Sequence, residues 1–353
     1  MTDAAAAIPR QAMVLAAGQG LRMRPLTGDR AKPALLLMNR PLLLHALDFL
    51  ARHGVTKAVV NLHAQPDSLT VLLDAGTPAG LGVAVSYEPV LLGTGGGIRA
   101  ALRHFERDAP LLVVNADSLA AVSLPALAAA HAAAGAGGHG LATLAVKPRE
   151  LDETYSTVRL DPRGAVCGIG DAGPVGEPST FIGVHIVTPA AIERLPATGP
   201  SEIVRDVYLP HLRAGGLLGA YRHDGWWVEA GNPSLYRRAH LRLLREEAFL
   251  AGLPPECGAR IPGESPSFAG RDVEIAGDAR LEETVLGAGA RVGAGARVAR
   301  SVVGSGARVG AGARVIDSIV WEGVDIPERA TVISRLVMPD PAEASGRAEV
   351  PLP

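Results

Sequence analysis

Residues 15–27 read LAAGQGLRMRPLT, with glycines at 18 and 20 and arginines at 22 and 24. The stretch directly follows the apolar run QAMVLAA (11–17). Three local structures compete for it. A dinucleotide fingerprint needs a third glycine three residues after Gly20, where Met23 stands. A Walker loop needs Gly-Lys-Ser/Thr, which is absent. A plain strand-to-helix turn accounts for the glycines but leaves Arg22 and Arg24 unexplained. Glycines let backbone approach a ligand closely, and successive N–H groups in such a loop form an anion-binding nest. Two guanidinium forks beside the nest suit phosphate. The stretch therefore predicts a phosphate-binding loop at the tip of a buried strand.

Outward from this loop, residues 11 to about 250 alternate strand-like and helix-like segments. QAMVLAA, KAVVNLH (57–63), VAVSYE (83–88), PLLVVNA (110–116) and GLATLAV (140–146) read as buried strands. PLLLHALDFLARHG (41–54) and GGIRAALRHFE (96–106) read as helices between them. That alternation predicts βαβ units and a mostly parallel mixed sheet of Rossmann-like α/β type, covered on both faces. A last amphipathic helix is expected over 234–252, with Ser234 as its N-cap after Pro233.

A Pro/Gly-rich stretch (252–268) predicts a linker, and beyond it the pattern changes. GAGARVGAGARV at 287–298 returns as GSGARVGAGARV at 304–315, an offset of 17. Branched aliphatics mark the frame: Ile275 and Leu281; Leu286, Val292 and Val298; Val303, Val309 and Val315; Val320, Ile326 and Val332. Steps of six, six and five fit three short strands per coil, each turning one aliphatic inward. The expected domains are a catalytic unit (1–251), the linker, a β-helix (269–340) and a tail (341–353).

The chain has 353 residues and a formal net charge of −2, so no global field favours nucleic acid or an anionic membrane. MTDAAAAIPR lacks a basic start followed by an apolar core, and no 18-residue apolar run occurs, so a cytoplasmic protein is expected. Two cysteines, Cys167 and Cys257, are too few for a disulfide framework. Only Lys32, Lys57 and Lys147 are lysines among 34 basic residues, which makes a lysine at a special position informative.

The stretch 15–27, with Lys32 after it, resembles the signature of the sugar-1-phosphate nucleotidyltransferases, with Leu21 where that family usually has Thr and Ala31 where it usually has Pro. The resemblance extends over GVTKAVVNLH (54–63), EPVLLGTGGGIRAAL (88–102), LLVVNAD (111–117), FIGVHI (181–186) and WVEAGNPSLY (227–236), and then over the solenoid, which is similar to hexapeptide-repeat proteins and so implies left-handed coils. It implies attack by a sugar 1-phosphate on the α-phosphorus of an NTP, with pyrophosphate as leaving group and Mg²⁺ as cofactor.

Carried onto this sequence, the family motifs imply that Arg22 and Lys32 act on the phosphates and that Leu15, Ala16, Ala17, Gly18 and Gly20 form the phosphate loop. Gly93 and Thr94 of GTGGG would contact the base, with Glu88 reading it. A carboxylate only accepts hydrogen bonds, and guanine offers N1–H and N2–H side by side, so GTP is expected, with mannose 1-phosphate as acceptor. Asp117 and Glu229 match the metal positions, Glu229 standing where many members have Asp. Ser156, Thr180 and Gly183 would line the sugar pocket, where the family's E-K-P is missing and Glu177 and Asp171 are the nearest acids. The alternatives are a uridylyltransferase acting on a hexose or N-acetylated sugar 1-phosphate, and a non-catalytic nucleotide-sugar-binding regulator. His63 and His185 are assigned no role. All ten histidines lie before residue 241, so the solenoid is expected to be structural or to form a homo-oligomer, without acyltransferase chemistry.

Overall fold

The computed structural model of the chain describes residues 7–352 apart from 151–154, 171–173, 264, 341 and 344–345. Asp171 lies outside the described residues. Two compact units emerge, one comprising Met1–Gly20, Thr27–Ala34 and Leu42–Trp227, the other Leu21–Leu26, Leu35–Pro41 and Val228–Pro353. Among the described residues no helix is long and apolar enough to cross a membrane.

In the first unit the chain runs β1 (Gln11–Leu15), α1 (Leu42–Arg52), β2 (Lys57–Leu62), α2 (Pro66–Ala75), β3 (Gly82–Tyr87), α3 (Gly93–Ala101) and β4 (Leu111–Asn115). It continues through α4 (Leu124–Ala136), β5 (Ala142–Pro148), β6 (Thr157–Leu160), β7 (Val166–Ile169), β8 (Glu177–Val187) and β9 (Gly219–Arg222). The sheet order is β7-β6-β8-β4-β1-β2-β3, with β5 branching from β8 and carrying β9. β1 pairs parallel with β2 and β4, and β2 with β3. β8 runs antiparallel to β4, β5 and β6, so the mixed sheet is parallel on one side of β8 and largely antiparallel around it.

Alternation along β1 explains the double cover. Ala12 and Val14 join Leu43, Leu47 and Leu50 of α1 and Leu124 and Leu127 of α4 in one core. Met13 faces the other way, into a core with Ile98 and Ala101 of α3 and the buried Tyr208. Successive strand residues point to opposite faces, so a strand apolar at every position must be buried on both. From β1 the chain crosses to β2 on one side and reaches β4 on the other. Such a divergence opens a crevice at the carboxyl ends of the strands.

The second unit contains α5 (Pro233–Leu243), which is capped by Asn232: its side chain accepts the Leu235 N–H at 2.9 Å. This corrects the expectation of Ser234 as cap. Pro233 occupies the first helical position, where its missing N–H costs nothing, and the cap falls one residue earlier. The expected single helix also breaks after Leu243, and a separate short helix follows at Glu247–Ala251.

The solenoid stacks three parallel sheets whose partners are 17 residues apart, as in Val292↔Val309, Val298↔Val315 and Val303↔Val320. The aliphatic frame points inward as expected from Leu286 to Val332, all of it buried. The exceptions are Ile275, 37% exposed, and the half-buried Leu281, whose strands are the first of their sheets and lack a coil before them. The first strand of one face, Ser267–Ala269, pairs antiparallel with Ala259–Ile261. At the other end Arg335–Pro339 pairs antiparallel with Arg347–Pro351.

A second ladder runs inside the aliphatic one. Ser267, Thr284, Ser301 and Ser318 are spaced by 17 and buried. Thr284 N–H donates to Ser267 Oγ (3.1 Å), Ser318 N–H to Ser301 Oγ (3.0 Å) and Arg335 N–H to Ser318 Oγ (3.1 Å). Ser301 Oγ donates in turn to Ala299 O at 2.7 Å. The hydroxyls of Ser267, Ser301 and Ser318 thus each satisfy an amide of the next coil, while Thr284 Oγ1 donates to Glu282 O at 2.9 Å. Ser301→Ala leaves the Ser318 N–H buried and unmade, so unfolding free energy should fall by about 1–3 kcal/mol, read as a lower midpoint in urea. An unchanged midpoint would assign that amide another partner.

Candidate active site

The loop predicted from residues 15–27 leaves β1 at Leu15 and is held from both sides. Ala116 N–H donates to Leu15 O at 3.0 Å, and Ala16 N–H to Asn61 Oδ1 at 2.7 Å. Gly20 has φ +63°, and Thr27 Oγ donates to its carbonyl at 2.9 Å, which turns the chain back towards Lys32. A Cβ at Gly20 would stand 3.2 Å from Lys32 Cβ, so the glycine admits the lysine stem beneath the loop.

Lys32 opens a short 3₁₀ turn and is 8% exposed. Its Nζ lies 2.6 Å from Asp117 Oδ2, an ion pair spanning 85 residues of sequence. Asp117 follows β4 and is the more exposed partner, its side chain 38% accessible. Both line a cavity of about 250 Å³ at the strand tips. Leu15 to Gly18, Lys32, Pro33, Asn115 and Asp117 wall one part of it; Asn61, Leu91, Gly93, Thr94 and Glu202 complete it.

The GTGGG turn starts α3 against the segment Ser201–Ile203. Gly95 and Gly96 N–H groups donate to Ser201 O at 2.9 and 3.1 Å. Thr94 Oγ donates to Glu202 Oε2 at 2.6 Å, and the Thr94 N–H reaches the same oxygen at 3.2 Å. A carboxylate thus already sits at the positive end of α3. Gly93, at φ +72°, would put a Cβ 2.5 Å from Glu202 Oε1, so only glycine fits.

Of the residues expected at the site, Leu15, Ala16, Ala17, Gly18, Lys32, Gly93, Thr94 and Asp117 line this one cavity. Glu88 does not. It is fully buried, with Oε1 accepting from Asn61 Nδ2 at 2.7 Å and Oε2 from Leu92 N–H at 2.9 Å. The carboxylate on the cavity wall is Glu202. Thr180 is buried in β8, paired between Lys147 and Thr157, and Ser156 lies exposed before β6. Gly183 packs against Asn115, and a Cβ there would stand 2.7 Å from Asn115 Nδ2. Arg22, exposed on the turn Leu21–Met23, belongs to the second unit. So does Glu229, whose carboxylate folds over Gly231, where a Cβ would be 2.4 Å from Oε1.

Sequence reasoning missed two features. Glu202 lies 108 residues from Thr94, and nothing local marks it. Lys147 is 9% exposed, 2.8 Å from Glu150 and 5.6 Å above the Trp227 ring, which Tyr155 meets edge-on. The scarcity of lysine was the available signal for it. His185 is buried between Phe181 and Tyr208, and burial lowers its pKa to about 3, so it is a neutral core residue at physiological pH.

A cavity at the parting of parallel strands, with a glycine loop and a cation–carboxylate pair on one wall and a glycine-rich helix start on another, defines an α/β protein that handles phosphorylated ligands. The chain belongs to the nucleotidyl transferase family, whose model matches residues 11–246. A second model, the GlmU-like C-terminal hexapeptide, matches 265–337. The N-acetylmuramate alpha-1-phosphate uridylyltransferase of Caulobacter vibrioides is 34% identical over 256 residues, covering 67% of this chain and 97% of that one. The "Probable mannose-1-phosphate guanylyltransferase 1" of Oryza sativa subsp. japonica is 28% identical over 297 residues (80% and 74%). The UTP–glucose-1-phosphate uridylyltransferase of Synechocystis sp. is 27% identical over 260 residues (69% and 66%).

Proposed function

We propose that this chain transfers a nucleotidyl group from an NTP to a sugar 1-phosphate, with GTP and mannose 1-phosphate as the favoured pair. A phosphate oxygen of the sugar 1-phosphate forms a bond to the α-phosphorus, and the bond from that phosphorus to the β-phosphate bridge breaks. NDP-sugar and pyrophosphate result. The nucleophile is mostly dianionic near neutral pH, because a phosphate monoester has its second pKa at about 6. No side chain has to deprotonate it, so the protein's task is alignment and charge neutralisation. The observation that carries the reading is the Lys32–Asp117 pair on the wall of a strand-tip cavity that Gly93, Thr94 and Glu202 also line.

In this reading Lys32 holds its ammonium against the phosphates, and the N–H groups of residues 17–20 face them. Glu202 supplies an acceptor for the N–H edge of guanine, the role first assigned by position to Glu88. Lys147, beside Trp227, supplies the cation expected near the sugar phosphate in place of the missing E-K-P lysine. Mg²⁺ would add positive charge between the phosphates, with Asp117 as its carboxylate ligand. Among the described residues no cluster of three or more His, Cys, Asp or Glu forms a metal site. One carboxylate still fits this ion, which keeps several waters and takes one or two carboxylates. The solenoid is read as the surface of a homo-oligomer.

Coverage of 97% of the Caulobacter enzyme favours a second reading, uridylyl transfer to an N-acetylated sugar 1-phosphate. Pyrophosphate release should be measured with Mg²⁺, GTP or UTP, and mannose, glucose or N-acetylmuramate 1-phosphate. The fastest release is expected for GTP with mannose 1-phosphate. A dominant UTP and N-acetylmuramate pair would install the second reading, and no release with any pair would overturn both.

A further inference from the structure

We propose that Asn61 and Glu88 form a buried joint that fixes the distance between the phosphate loop and the base-side turn, so that both are positioning residues for NTP binding. The inference rests on the NTP-binding reading of the cavity, but not on which base is bound. Four groups make an unbroken chain. Ala16 N–H donates to Asn61 Oδ1 (2.7 Å), Asn61 Nδ2 donates to Glu88 Oε1 (2.7 Å), and Leu92 N–H donates to Glu88 Oε2 (2.9 Å). Ala16 begins the glycine loop, and Leu92 is the residue immediately before Gly93 and Thr94 of α3. Asn61 is 3% exposed and Glu88 is 0% exposed.

The polarity of this chain is dictated from its ends. Both terminal groups are backbone N–H, which can only donate. The atom of Asn61 facing Ala16 must therefore be oxygen, and its NH₂ must face Glu88. Glu88 then receives a donor on each oxygen, which a carboxylate can accept and an amide cannot. The last glycine of GTGGG has its reason here: a Cβ on Gly97 would stand 2.7 Å from both Asn61 Nδ2 and Glu88 Oε1. His63 Nδ1 additionally meets the Glu88 carbonyl at 2.9 Å, pinning its backbone.

Exchange of the two chemistries follows from the same logic. In Glu88→Gln one junction must set donor against donor. In Asn61→Asp two carboxylates face each other. The double variant N61D/E88Q satisfies every group again: Ala16 N–H to Asp, the Gln NH₂ to the other Asp oxygen, and Leu92 N–H to the Gln oxygen. Net charge is unchanged.

The test is saturation binding of GTP and of UTP to the full chain, with KM for NTP and for sugar 1-phosphate measured alongside. Each single variant should weaken binding of the accepted nucleotide by about tenfold to a hundredfold, the scale of one unmade buried hydrogen bond. The double variant should return to within about threefold of wild type, with KM for the sugar 1-phosphate steady throughout. A double variant no better than the worse single, or equal rises in both KM values, would overturn the joint. Should a single variant be insoluble, solubility of the double variant becomes the readout, and an insoluble double variant overturns it too. Wild-type protein that binds neither nucleotide overturns the NTP reading itself, a result distinct from failed rescue in a protein that does bind.

Discussion

Asp117→Asn is expected to lower pyrophosphate release by about a thousandfold while leaving the fold in place. The substitution keeps the shape of the side chain and an oxygen that Lys32 Nζ can still meet, so the 2.6 Å contact survives as a hydrogen bond. What disappears is the negative charge that partners a nearly buried ammonium and, in the proposed reaction, holds the cation between the phosphates. Groups that stabilise developing charge in a water-poor site contribute about a hundredfold to a thousandfold each, and Asp117 serves two of them. Thermal unfolding should shift little, because the carboxylate is part-exposed and its attraction to Lys32 is screened. Release at the wild-type rate would place the reacting centre elsewhere. A collapse of the melting transition would make the pair structural.

Gly183→Ala should cost stability and turnover together. Gly183 sits at φ +81° where β8 shifts register between Phe181 and His185. An alanine there carries left-handed strain of about 1–2 kcal/mol. Its Cβ would also lie 2.7 Å from Asn115 Nδ2 and 3.1 Å from Asn115 Cβ, the latter fixed to the backbone of β4. The neighbour must move, and Asp117 is two residues further along the same strand end. Together these should lower unfolding free energy by about 2–4 kcal/mol, on the scale of an overpacked core, with at least a tenfold loss of pyrophosphate release. Adding Asn115→Ala removes the contacts to Nδ2 (2.7 Å) and Cγ (2.9 Å) but keeps Cβ, and should recover part of the stability but none of the backbone strain. A single variant that melts with wild type would mean that the β8 shift does not need glycine.

What the sequence revealed and what it hid divide along a physical line. That the glycine loop, Lys32 and Asp117 meet at one cavity was legible because glycine conformation, scarce lysine and a strand-tip acid are local properties. The solenoid was legible because a 17-residue period repeats each coil's packing problem. The hydroxyl ladder was masked by the aliphatic frame, although Ser267, Thr284, Ser301 and Ser318 follow the same period. Glu88 lies off the cavity because position along the chain does not say which way a side chain turns, and two buried donors, the Asn61 amide and the Leu92 N–H, draw it inward. Glu202 was invisible, since its partner Thr94 is a long-range neighbour. Asn232 displaced Ser234 as helix cap because a proline between them settles where the first turn begins.

The in-register stacking of the solenoid makes its length a countable quantity. Every inward aliphatic has its counterpart one coil away, and Ser267, Ser301 and Ser318 each accept an amide there, so a duplicated segment of 17 residues would place all of them in equivalent surroundings. A segment one residue longer or shorter would turn the aliphatics of every later strand to the outside. Antiparallel strands, Ala259–Ile261 and Arg347–Pro351, terminate one face at both ends, while the open ends of another carry Glu274 and Asp325 outward, which discourages further strands from joining. The protein can therefore lengthen or shorten this part in whole coils, as one adjusts a ruler by its graduations, without renegotiating the packing of the coils that remain.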